Sequence, residues 1–260
     1  MEVTDKIIAV TGGGGGIGEA LCRRFSQEGA KAVVVADINE KAAKAVAADI
    51  KGAGVACDVS REEDIIRLVR FTEGTFGPID FFCSNAGILI MGDVLVPNEN
   101  WQRIWKINVM SHIYAGRTVI PGMIKRGGGT FMITASAAGL LTHVNSAPYS
   151  VTKHAAVGLA EHLSITYSDQ GIKIFILCPQ SVHTAMAGEG DVGAVDGLME
   201  PSALAEAVIA GLKEEKFLIL PHPQVKTYMQ RKVSDYDRWL QGMRRFKARF
   251  NEGTAFKIDT

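Results

Sequence analysis

The amino-acid sequence predicts an α/β protein built on a doubly wound parallel sheet of about seven strands. Three observations support this fold class. Short apolar runs rich in Val, Ile and Phe recur along the 260 residues, each is followed by a segment with helical spacing, and no fixed-period repeat or long low-complexity linker interrupts the alternation. Strands that are apolar on both faces and alternate with helices are typical of parallel sheets with right-handed crossovers.

The first half of the chain contains four strand-helix units. The run KIIAVT at residues 6–11 is the first expected strand, and the helix expected over 17–28 has an apolar face made by Ile17, Leu21 and Phe25. This i, i+4 spacing is typical of a helix packed on a sheet. The other units are strand 31–37 with helix 39–51, strand 54–59 with helix 61–75, and strand 79–85 with helix 98–126.

The second half of the chain ends in a tail that breaks the alternation. No domain boundary is visible before this tail, so we expect one catalytic domain over residues 1–220 and a helical extension over 221–260 that is not an independent domain. The remaining elements are strand 129–136 with helix 147–169, strand 172–179 with a Gly-rich loop and helix 201–214, and strand 216–221.

The tail combines an apolar stripe with an excess of basic residues. Residues 221–260 contain nine Lys or Arg and four Asp or Glu. Apolar residues at steps of three and four predict an amphipathic helix that covers either a neighbouring subunit or the rim of the protein's own pocket. These residues are Val233, Tyr236, Trp239, Leu240, Met243, Phe246 and Phe250.

Charge and composition argue against several classes of protein. Lys plus Arg and Asp plus Glu number 28 each, whereas binding to nucleic acid or to a membrane surface needs a basic excess. There is no membrane-length apolar run and no secretory leader, so we expect a cytoplasmic protein. Cys22, Cys57, Cys83 and Cys178 show no ligand spacing, so we expect core residues and no metal site.

Five consecutive glycines, residues 12–16, separate the first expected strand from the first expected helix. A strand that turns directly into a helix aims backbone N–H groups and the positive end of the helix dipole at one point, where an anion binds. Glycine permits positive φ there and lets the backbone approach a pyrophosphate. Because such a run fits both GxGxxG and TGxxxGxG, a flexible surface loop is the alternative.

The flanking residues favour a dinucleotide-binding turn in a Rossmann-like sheet over a surface loop. The residues before the glycines are strand-like, and those after them have a helical apolar face. The residues that we expect to contact the dinucleotide here are Gly12, Gly14, Gly15, Gly16 and Ile17.

Asp37 ends the second expected strand, about 20 positions after the glycine turn, which is the spacing of a ribose-binding carboxylate. A carboxylate there accepts hydrogen bonds from both ribose hydroxyls and repels a 2′-phosphate. Neither Ala36 nor Ile38 supplies a cation, so the sequence predicts NAD as cofactor, with Ile38 beside the adenosine. The alternative is that Asp37 caps the helix that begins near Asn39.

Tyr149 and Lys153 stand four residues apart at the start of an expected helix and therefore share one face. A phenol has a reference pKa of about 10 and is a poor base at neutral pH unless a nearby cation favours the phenolate. Lowering that pKa by about three units requires ~4 kcal/mol, which a lysine and a positive nicotinamide can supply. Such a pair alone is often an ordinary surface pair, but Ser136 ends the preceding strand, where α/β sheets bind ligands.

These motifs together resemble the short-chain dehydrogenase/reductase family. The resemblance covers about residues 4–184, and its six separated motifs agree in type, order and position relative to the expected strands. The motifs are the glycine turn 11–18, Asp58, the turn Asn85-Ala86-Gly87, Asn108, Ser136, and Tyr149 with Lys153.

The resemblance implies a role for each of these residues. Tyr149 would be the general acid or base, Ser136 would hold the substrate oxygen, and Lys153 would bind the nicotinamide ribose and lower the pKa of Tyr149. Asn108 would anchor a water through its backbone carbonyl. The other implied cofactor contacts are Asp58 and Val59 at the adenine, Asn85, Ala86 and Gly87 along the cofactor, and Pro179, Val182 and Thr184 at the nicotinamide.

Each role has a structural alternative, and the sequence departs from the family pattern in two places. The alternatives are that Asp58 only caps a helix, that Asn85 only serves a turn and that Asn108 is only a polar residue within a helix. Gln180 follows Pro179 where the family has glycine, which puts the shape of the pocket floor in doubt. The end of the chain also differs from the family's, so the expected homo-oligomer is either a dimer or a tetramer. His143 and His183 are candidates for substrate contact, although a loop histidine more often has no catalytic role.

The expected substrate walls, residues 88–96, 140–144 and 185–199, are largely apolar. They favour an NAD-dependent oxidoreductase acting on a hydrophobic secondary alcohol or its ketone. One alternative is a 3-oxoacyl thioester reductase, against which Asp37 argues because that role generally goes with NADPH. The other alternative is a non-catalytic NAD-binding scaffold that uses the tail as its partner surface.

Overall fold

The computed structural model describes residues 1–186 and 192–251 and contains the parallel sheet that the alternation predicts. Its strands are β1 Ile7–Thr11, β2 Ala32–Asp37, β3 Ala53–Ala56, β4 Phe81–Ser84, β5 Gly129–Thr134, β6 Ile172–Leu177 and β7 Leu218–Ile219. All neighbouring pairs among these strands are parallel, in the order β3-β2-β1-β4-β5-β6-β7. The fold class and the strand locations are therefore confirmed, with β7 shorter than expected.

Helices cover both faces of the sheet. Alternate residues of β1 point to opposite faces, as the strand period requires: Ile8 and Val10 pack in one apolar cluster with Phe25, and Ala9 packs in the other with Phe82. The helices are α1 Gly16–Gln27, α2 Glu40–Asp49, α3 Glu62–Phe76, α4 Asn98–Trp105, α5 Ser111–Lys125, α6 Ala147–Tyr167, α7 Pro201–Lys213, α8 Gln224–Ser234 and α9 Tyr236–Asn251.

The prediction of one continuous helix over 98–126 is wrong in one respect: a π-helical turn interrupts the helix at Lys106–Met110. The backbone N–H of Ser111 donates to the carbonyl of Lys106, five residues earlier, so the hydrogen-bond register shifts between α4 and α5. Helical periodicity alone does not show such a turn, although π-turns are frequent at functional sites.

The tail forms two helices where the apolar stripe predicts one. Asp235 breaks the helix: its backbone is extended, its carboxylate accepts a hydrogen bond from the Arg238 N–H at 2.9 Å, and it thereby caps α9. The stripe is consequently divided. Trp239, Met243 and Phe246 are partly buried, and the residues exposed to solvent are Val233, Tyr236 and Leu240; the side chain of Phe250 lies outside the described part.

A small third cluster attaches the tail to the sheet. Val225 of α8 is buried with Ala137 and Leu141, and Tyr228 and Trp239 pack on them. Across the described residues, no helix has both the length and the hydropathy required to cross a membrane.

Candidate active site

A cavity of about 840 Å³ opens at the carboxyl edge of the sheet. β1 and β4 are neighbours there, while the chain leaves β1 toward β2 on the other side, and this reversal creates the crevice in which open α/β sheets bind ligands. Every residue expected from the sequence to be catalytic or to contact the cofactor lines the cavity except Asn108. The volume lies within the roughly 300–1,000 Å³ typical of ligand sites.

The glycine turn between β1 and α1 has the backbone that the sequence predicts. Gly12 and Gly16 have φ of 66° and 53°, which disfavour residues with a Cβ, and a Cβ at Gly12 would also lie only 2.9 Å from the Cα of Ala86. Gly15 precedes the first turn of α1 and offers no side-chain cap, while a Cβ built on it meets nothing within 4 Å. The N-terminus of α1 therefore faces open cavity, as an anion site requires.

Asp37 lines the cavity at the end of β2, where the sequence predicts the adenosine ribose. Its Oδ2 accepts a hydrogen bond from the Gly14 N–H at 3.0 Å, and its Oδ1 accepts one from the Asn39 N–H at 2.9 Å. Asn39 is the residue that caps α2, by accepting from the Ala42 N–H at 3.2 Å, so the alternative capping role does not fall to Asp37. Ile38 is 74% exposed beside it.

The basic residues that line the cavity lie away from Asp37. Among the described residues they are Arg103 on α4, Lys153 on α6 and Arg231 on α8, which follow β4, β5 and β7. None of them belongs to the β2-β3 side of the sheet, where a 2′-phosphate would need a cation.

Asp58 and Asn85 hold the loops after β3 and β4. Asp58 accepts from the Ser60 N–H at 3.0 Å, while its own N–H donates to Asp64. The Asn85 amide nitrogen donates to the Thr11 carbonyl at 3.0 Å, and its backbone N–H donates to the Thr11 hydroxyl at 3.0 Å. Asn85 thus ties β4 to β1, so it serves the turn and lines the cavity at once; Val59, Ala86 and Gly87 line the same wall.

Ser136 lies two residues beyond the end of β5 and is 8% exposed. Its hydroxyl oxygen accepts from the Ala138 N–H at 3.1 Å, and the hydroxyl donates to the Pro179 carbonyl at a long 3.3 Å. The weak second bond leaves the hydroxyl able to turn toward a ligand in the cavity.

Tyr149 and Lys153 lie on the first turns of α6, as their spacing predicts. The Ser146 hydroxyl oxygen accepts from the Tyr149 N–H at 3.1 Å, and the same hydroxyl donates to the Ile90 carbonyl at 2.6 Å, which fixes the start of the helix. The Lys153 Nζ lies 5.5 Å from the centre of the Tyr149 ring and donates to the Thr134 carbonyl at 3.0 Å.

Lys153 is only 3% exposed, and none of the described Asp or Glu residues forms a salt bridge with it. Burial lowers the pKa of its ammonium from 10.5 to about 8, because little but a backbone carbonyl compensates for the loss of water. The group is therefore cationic at neutral pH and becomes neutral in mildly alkaline solution.

Asn108 lies in the π-helical turn, directly behind the cavity wall. Its side-chain oxygen accepts from the Ile88 N–H at 2.8 Å and its amide donates to the Ile88 carbonyl at 2.9 Å. A Cβ built on Gly87 would lie 3.3 Å from the Lys153 Nζ and 3.4 Å from the Asn108 Oδ1, so these three residues meet. Because the side chain is occupied, a solvent-binding role for Asn108 would use its backbone.

The loop after β6 carries the departure from the family pattern. Gln180 lines the cavity, and its backbone N–H donates to Nδ1 of His222 at 3.2 Å. The side-chain oxygen of Gln180 is buried without a hydrogen-bond partner among the described residues. Gln180 thus adds a polar group to the cavity lining, between Pro179 and Val182, which are expected to lie at the nicotinamide; Thr184 also lines the cavity.

The substrate walls are formed in part by the expected segments. Ile88, Leu89, and residues 141–144 line the cavity, whereas Val94 and Leu95 are more than three-quarters exposed and do not. Ala185 and Met186 line it as well, and residues 187–191 of the expected loop lie outside the described residues.

The two candidate histidines differ in their position relative to the cavity. His143 lines the cavity, with its ring edge toward Tyr149 at 6.1 Å between centroids. His183 is exposed, lies 3.2 Å from Glu200 and is not among the lining residues, so the expectation that it contacts substrate in this cavity is not supported. No group of three or more His, Cys, Asp or Glu within the described ranges is placed to hold a metal ion.

Sequence reasoning missed two features of the site. His112 of α5 is fully buried beside the catalytic cluster, and its Nδ1 lies 2.7 Å from the Ser84 hydroxyl. Burial, with the nearby Lys153 charge, lowers its pKa to about 3, so it stays neutral. Tyr228 and Arg231 also line the cavity, and their only sequence signal is the amphipathic tail.

Comparisons with known proteins agree with this geometry. The sequence pattern described as short chain dehydrogenase matches residues 6–192. A 3beta-hydroxysteroid dehydrogenase 2 from Eggerthella lenta is 34% identical over 186 residues, which cover 67% of this chain and 70% of that protein.

Two solved structures are similar to the whole fold. A short chain dehydrogenase/reductase from Burkholderia phymatum, in complex with NAD, has a TM-score of 0.83 at 24% identity over 91% of this chain and 96% of the other. A 3-ketoacyl-(acyl-carrier-protein) reductase from Brucella melitensis, complexed with NADH, has a TM-score of 0.78 at 28% identity over 84% of this chain and 97% of the other. The pattern match over more than half of the chain shows that this protein belongs to the short-chain dehydrogenase/reductase family and is an oxidoreductase of alcohols or ketones.

Proposed function

We propose that the protein is an NAD-dependent dehydrogenase that interconverts a hydrophobic secondary alcohol and its ketone, with Tyr149 as the acid and base. The observation that carries this proposal is the position of Ser136, Tyr149 and Lys153 in one cavity that also contains the glycine turn and Asp37. A phenol, a hydroxyl and a cation together can hold a carbinol oxygen and move its proton.

The residues present fit a dinucleotide. The open space at Gly15 leaves room for a diphosphate at the N-terminus of α1. Asp37 would offer two carboxylate oxygens to the ribose, and no lining Lys or Arg among the described residues lies on its side of the sheet, which favours NAD over NADP. The NAD and NADH complexes of the two structural relatives are in line with this choice.

When bound, NAD⁺ supplies the acceptor for the hydride that leaves the carbinol carbon. The hydroxyl proton of the alcohol passes to the Tyr149 oxygen as the carbonyl forms, and the Ser136 hydroxyl donates to the same substrate oxygen. The Lys153 ammonium favours the phenolate that accepts this proton. Asn108 and Thr134 hold Ile88 and Lys153 in place, and the reduction runs the same transfers in reverse.

The substrate class is inferred from the walls. Part of the cavity lining is apolar, which suits a carbon skeleton larger than that of a short-chain alcohol. The apolar side chains there include Ile88, Leu89, Leu141, Met186 and Trp239. The relative from Eggerthella lenta is named for a hydroxysteroid, which is an alcohol of this kind.

Steady-state assays test the proposal. The purified protein is given NAD⁺ or NADP⁺ with secondary alcohols of increasing bulk, and the absorbance of the reduced cofactor is followed. We expect NAD⁺-dependent turnover that improves with apolar bulk. A higher kcat/KM with NADP⁺, or no turnover of any alcohol or of the matching ketones with NADH, would contradict it.

A second candidate is a 3-oxoacyl thioester reductase, which the likeness to the Brucella melitensis enzyme favours. Because that enzyme was crystallised with NADH, the cofactor alone does not separate the two functions. Reduction of acetoacetyl thioesters does: a kcat/KM above that for every apolar ketone would select the reductase.

We further propose that the protein is a cytoplasmic homo-oligomer. Val233, Tyr236 and Leu240 are exposed apolar side chains on the tail helices, and such a group favours contact with another subunit. Light scattering on the purified protein measures the state; a monomer at micromolar concentration would contradict the oligomer.

A further inference from the structure

The helices of the tail form one wall of the cavity. Tyr228 and Arg231 come from α8, and Trp239, Met243 and Phe246 come from α9. This segment lies beyond residues 6–192, the part of the chain that matches the family pattern. Its contribution to the site therefore comes from outside the part of the chain that matches the family pattern.

The wall is fixed to the loop that carries Ser136. Val225 packs with Ala137 and Leu141, and the Lys232 ammonium donates to the Leu140 carbonyl at 2.6 Å. Tyr228 is held as well, since its hydroxyl donates to Oδ1 of Asp196 at 2.9 Å. A side chain on this wall consequently has a defined position relative to the reacting groups.

Arg231 is the cation on this wall. Its guanidinium lies 5.8 Å from the centre of the Tyr228 ring, at cation-π distance. None of the described Asp or Glu residues lies within salt-bridge distance of it, and Asp196 contacts the Tyr228 hydroxyl instead. Arg231 thus presents a positive charge at the rim of a largely apolar wall with its charge unpaired in the described part.

The lining charges are also separated across the sheet. The acidic lining residues among those described, Asp37 and Asp58, follow β2 and β3 at one edge, whereas Arg231 follows β7 at the other. An anionic group near Arg231 therefore meets none of the lining carboxylates among the described residues, and it shares the cavity with the apolar side chains of Trp239 and Phe246.

We propose that the substrate is a bulky apolar alcohol or ketone with a carboxylate remote from the reacting carbon, and that Arg231 binds this carboxylate. The inference rests on the proposed function and names the substrate class of the same site. A guanidinium matches a carboxylate through two parallel hydrogen bonds, and stacking on Tyr228 orients its plane. Arg231 acts on specificity and takes no part in hydride or proton transfer.

Binding to the NADH-loaded protein tests the inference without requiring turnover. Dissociation constants are measured by calorimetry for several hydroxylated polycyclic carboxylic acids, such as a hydroxycholanic acid, and for the methyl ester of each. Because a partly exposed guanidinium pairs with a carboxylate through charge-assisted hydrogen bonds, we expect the acids to bind about tenfold more tightly than their esters. The preference should shrink as NaCl is raised.

Three variants and one control locate the effect. Arg231→Leu should make the binding of acid and ester equal, and Arg231→Lys should retain part of the preference. Arg103→Leu changes the other lining arginine and should leave the preference intact. Arg244→Leu, at an exposed arginine of α9 that does not line the cavity, is the matched control and should behave as wild type.

Any of three results would overturn the inference: no acid of the panel binds more tightly than its ester, the preference survives in Arg231→Leu, or the preference disappears in Arg103→Leu. Oxidation of the esters by NAD⁺ tests the proposed reaction separately. If the esters are oxidised but the acids do not bind more tightly, the proposed dehydrogenase activity is supported and the proposed carboxylate binding is rejected. If the acids bind more tightly in an Arg231-dependent way but nothing is oxidised, carboxylate binding is supported and the proposed reaction is rejected.

Discussion

The Lys153 ammonium lies 5.5 Å from the centre of the Tyr149 ring and is held there by the Thr134 carbonyl at 3.0 Å. A neutral carbonyl orients the ammonium and leaves its charge in place. A carboxylate partner would orient the ammonium and also cancel its charge. The full charge therefore acts on the phenol when the lysine is protonated. This arrangement gives Tyr149 and Lys153 distinct and separable contributions.

Tyr149→Phe should abolish turnover while leaving NADH binding nearly intact, because it removes the proton-transfer atom and keeps the ring. We expect kcat to fall by about 100-fold or more, the usual contribution of general acid-base catalysis. NADH affinity is measured by fluorescence. Tyr167→Phe removes a phenol from the other end of α6 and is the control; comparable loss of activity in both variants would contradict the assignment.

Lys153 makes folding stability rise with pH in alkaline solution. Its pKa is about 8 in the folded protein and 10.5 as the unperturbed value, so the unfolded chain binds more protons between these two. Below pH 8 the buried charge lowers the free energy of unfolding by its full amount, and this loss diminishes as the pH rises to 10.5. The free energy of unfolding, measured by urea denaturation, should rise relative to Lys153→Met by at most about 1.4 kcal/mol per pH unit. A constant difference between the two proteins would refute this.

His112 gives a dependence of the same sign at acidic pH. Its pKa is lowered to about 3 from 6.5, so the unfolded chain takes up a proton as the pH falls below 6.5 and the folded protein does not. The free energy of unfolding should therefore fall between pH 6.5 and pH 4.5, by at most about 1.4 kcal/mol per unit. His112→Gln does not titrate and should lose this part of the decline; an unchanged acid profile would show that the imidazole is not the source.

Asp37 should set the choice of cofactor. Asp37→Ala with Ile38→Arg removes the repulsive carboxylate and supplies a cation at an exposed position. From the strength of hydrogen bonds to a charged group, we expect NADH to bind about tenfold more weakly and NADPH more tightly than in wild type. Asp49→Ala, at an exposed end of α2 where the carboxylate pairs with Arg23, is the control. Unaltered cofactor preference in the double variant would remove Asp37 from the ribose site.

Two glycines of the first turn should respond differently to the same added methyl group. A Cβ at Gly18 would overlap the Gly12 carbonyl, so Gly18→Ala should lower stability by about 1–3 kcal/mol. A Cβ at Gly15 meets nothing within 4 Å, so Gly15→Ala should leave the melting temperature nearly unchanged and weaken NADH binding. Equal NADH affinity in Gly15→Ala and wild type would show that the diphosphate does not approach this residue.

The sheet and most of the site could be predicted from the sequence because each depends on local signals. Short β-branched runs such as residues 31–37 favour strands through their own composition and length, and Tyr149 and Lys153 share a face through helical spacing. The glycine turn and Asp37 lie at fixed distances from strand ends, so their meeting follows from the parallel order of β1 and β2.

The remaining features depend on contacts between distant segments. The tail divides at Asp235 because the side chain of this residue caps α9, and its backbone therefore does not continue α8. The spacing of apolar residues does not show where such a cap interrupts a helix. The positions of Arg231 and His112 depend on packing against Tyr228 and against β4. No sequence pattern around either residue marks it as part of the site.

The separate origins of the two sides of the cavity affect how the protein can change. The groups proposed to react follow β5 or lie on α6, whereas the wall with Trp239, Met243 and Phe246 comes from chain beyond β7. Met243 and Phe246 of this wall can therefore vary apart from the groups proposed to react, whereas Val225 and Lys232 of α8 attach the wall to the loop of Ser136 and are less free to change. New molecules can be accepted through drift in the last forty residues, and the same region is the natural target for a designer who wants altered selectivity with unaltered chemistry.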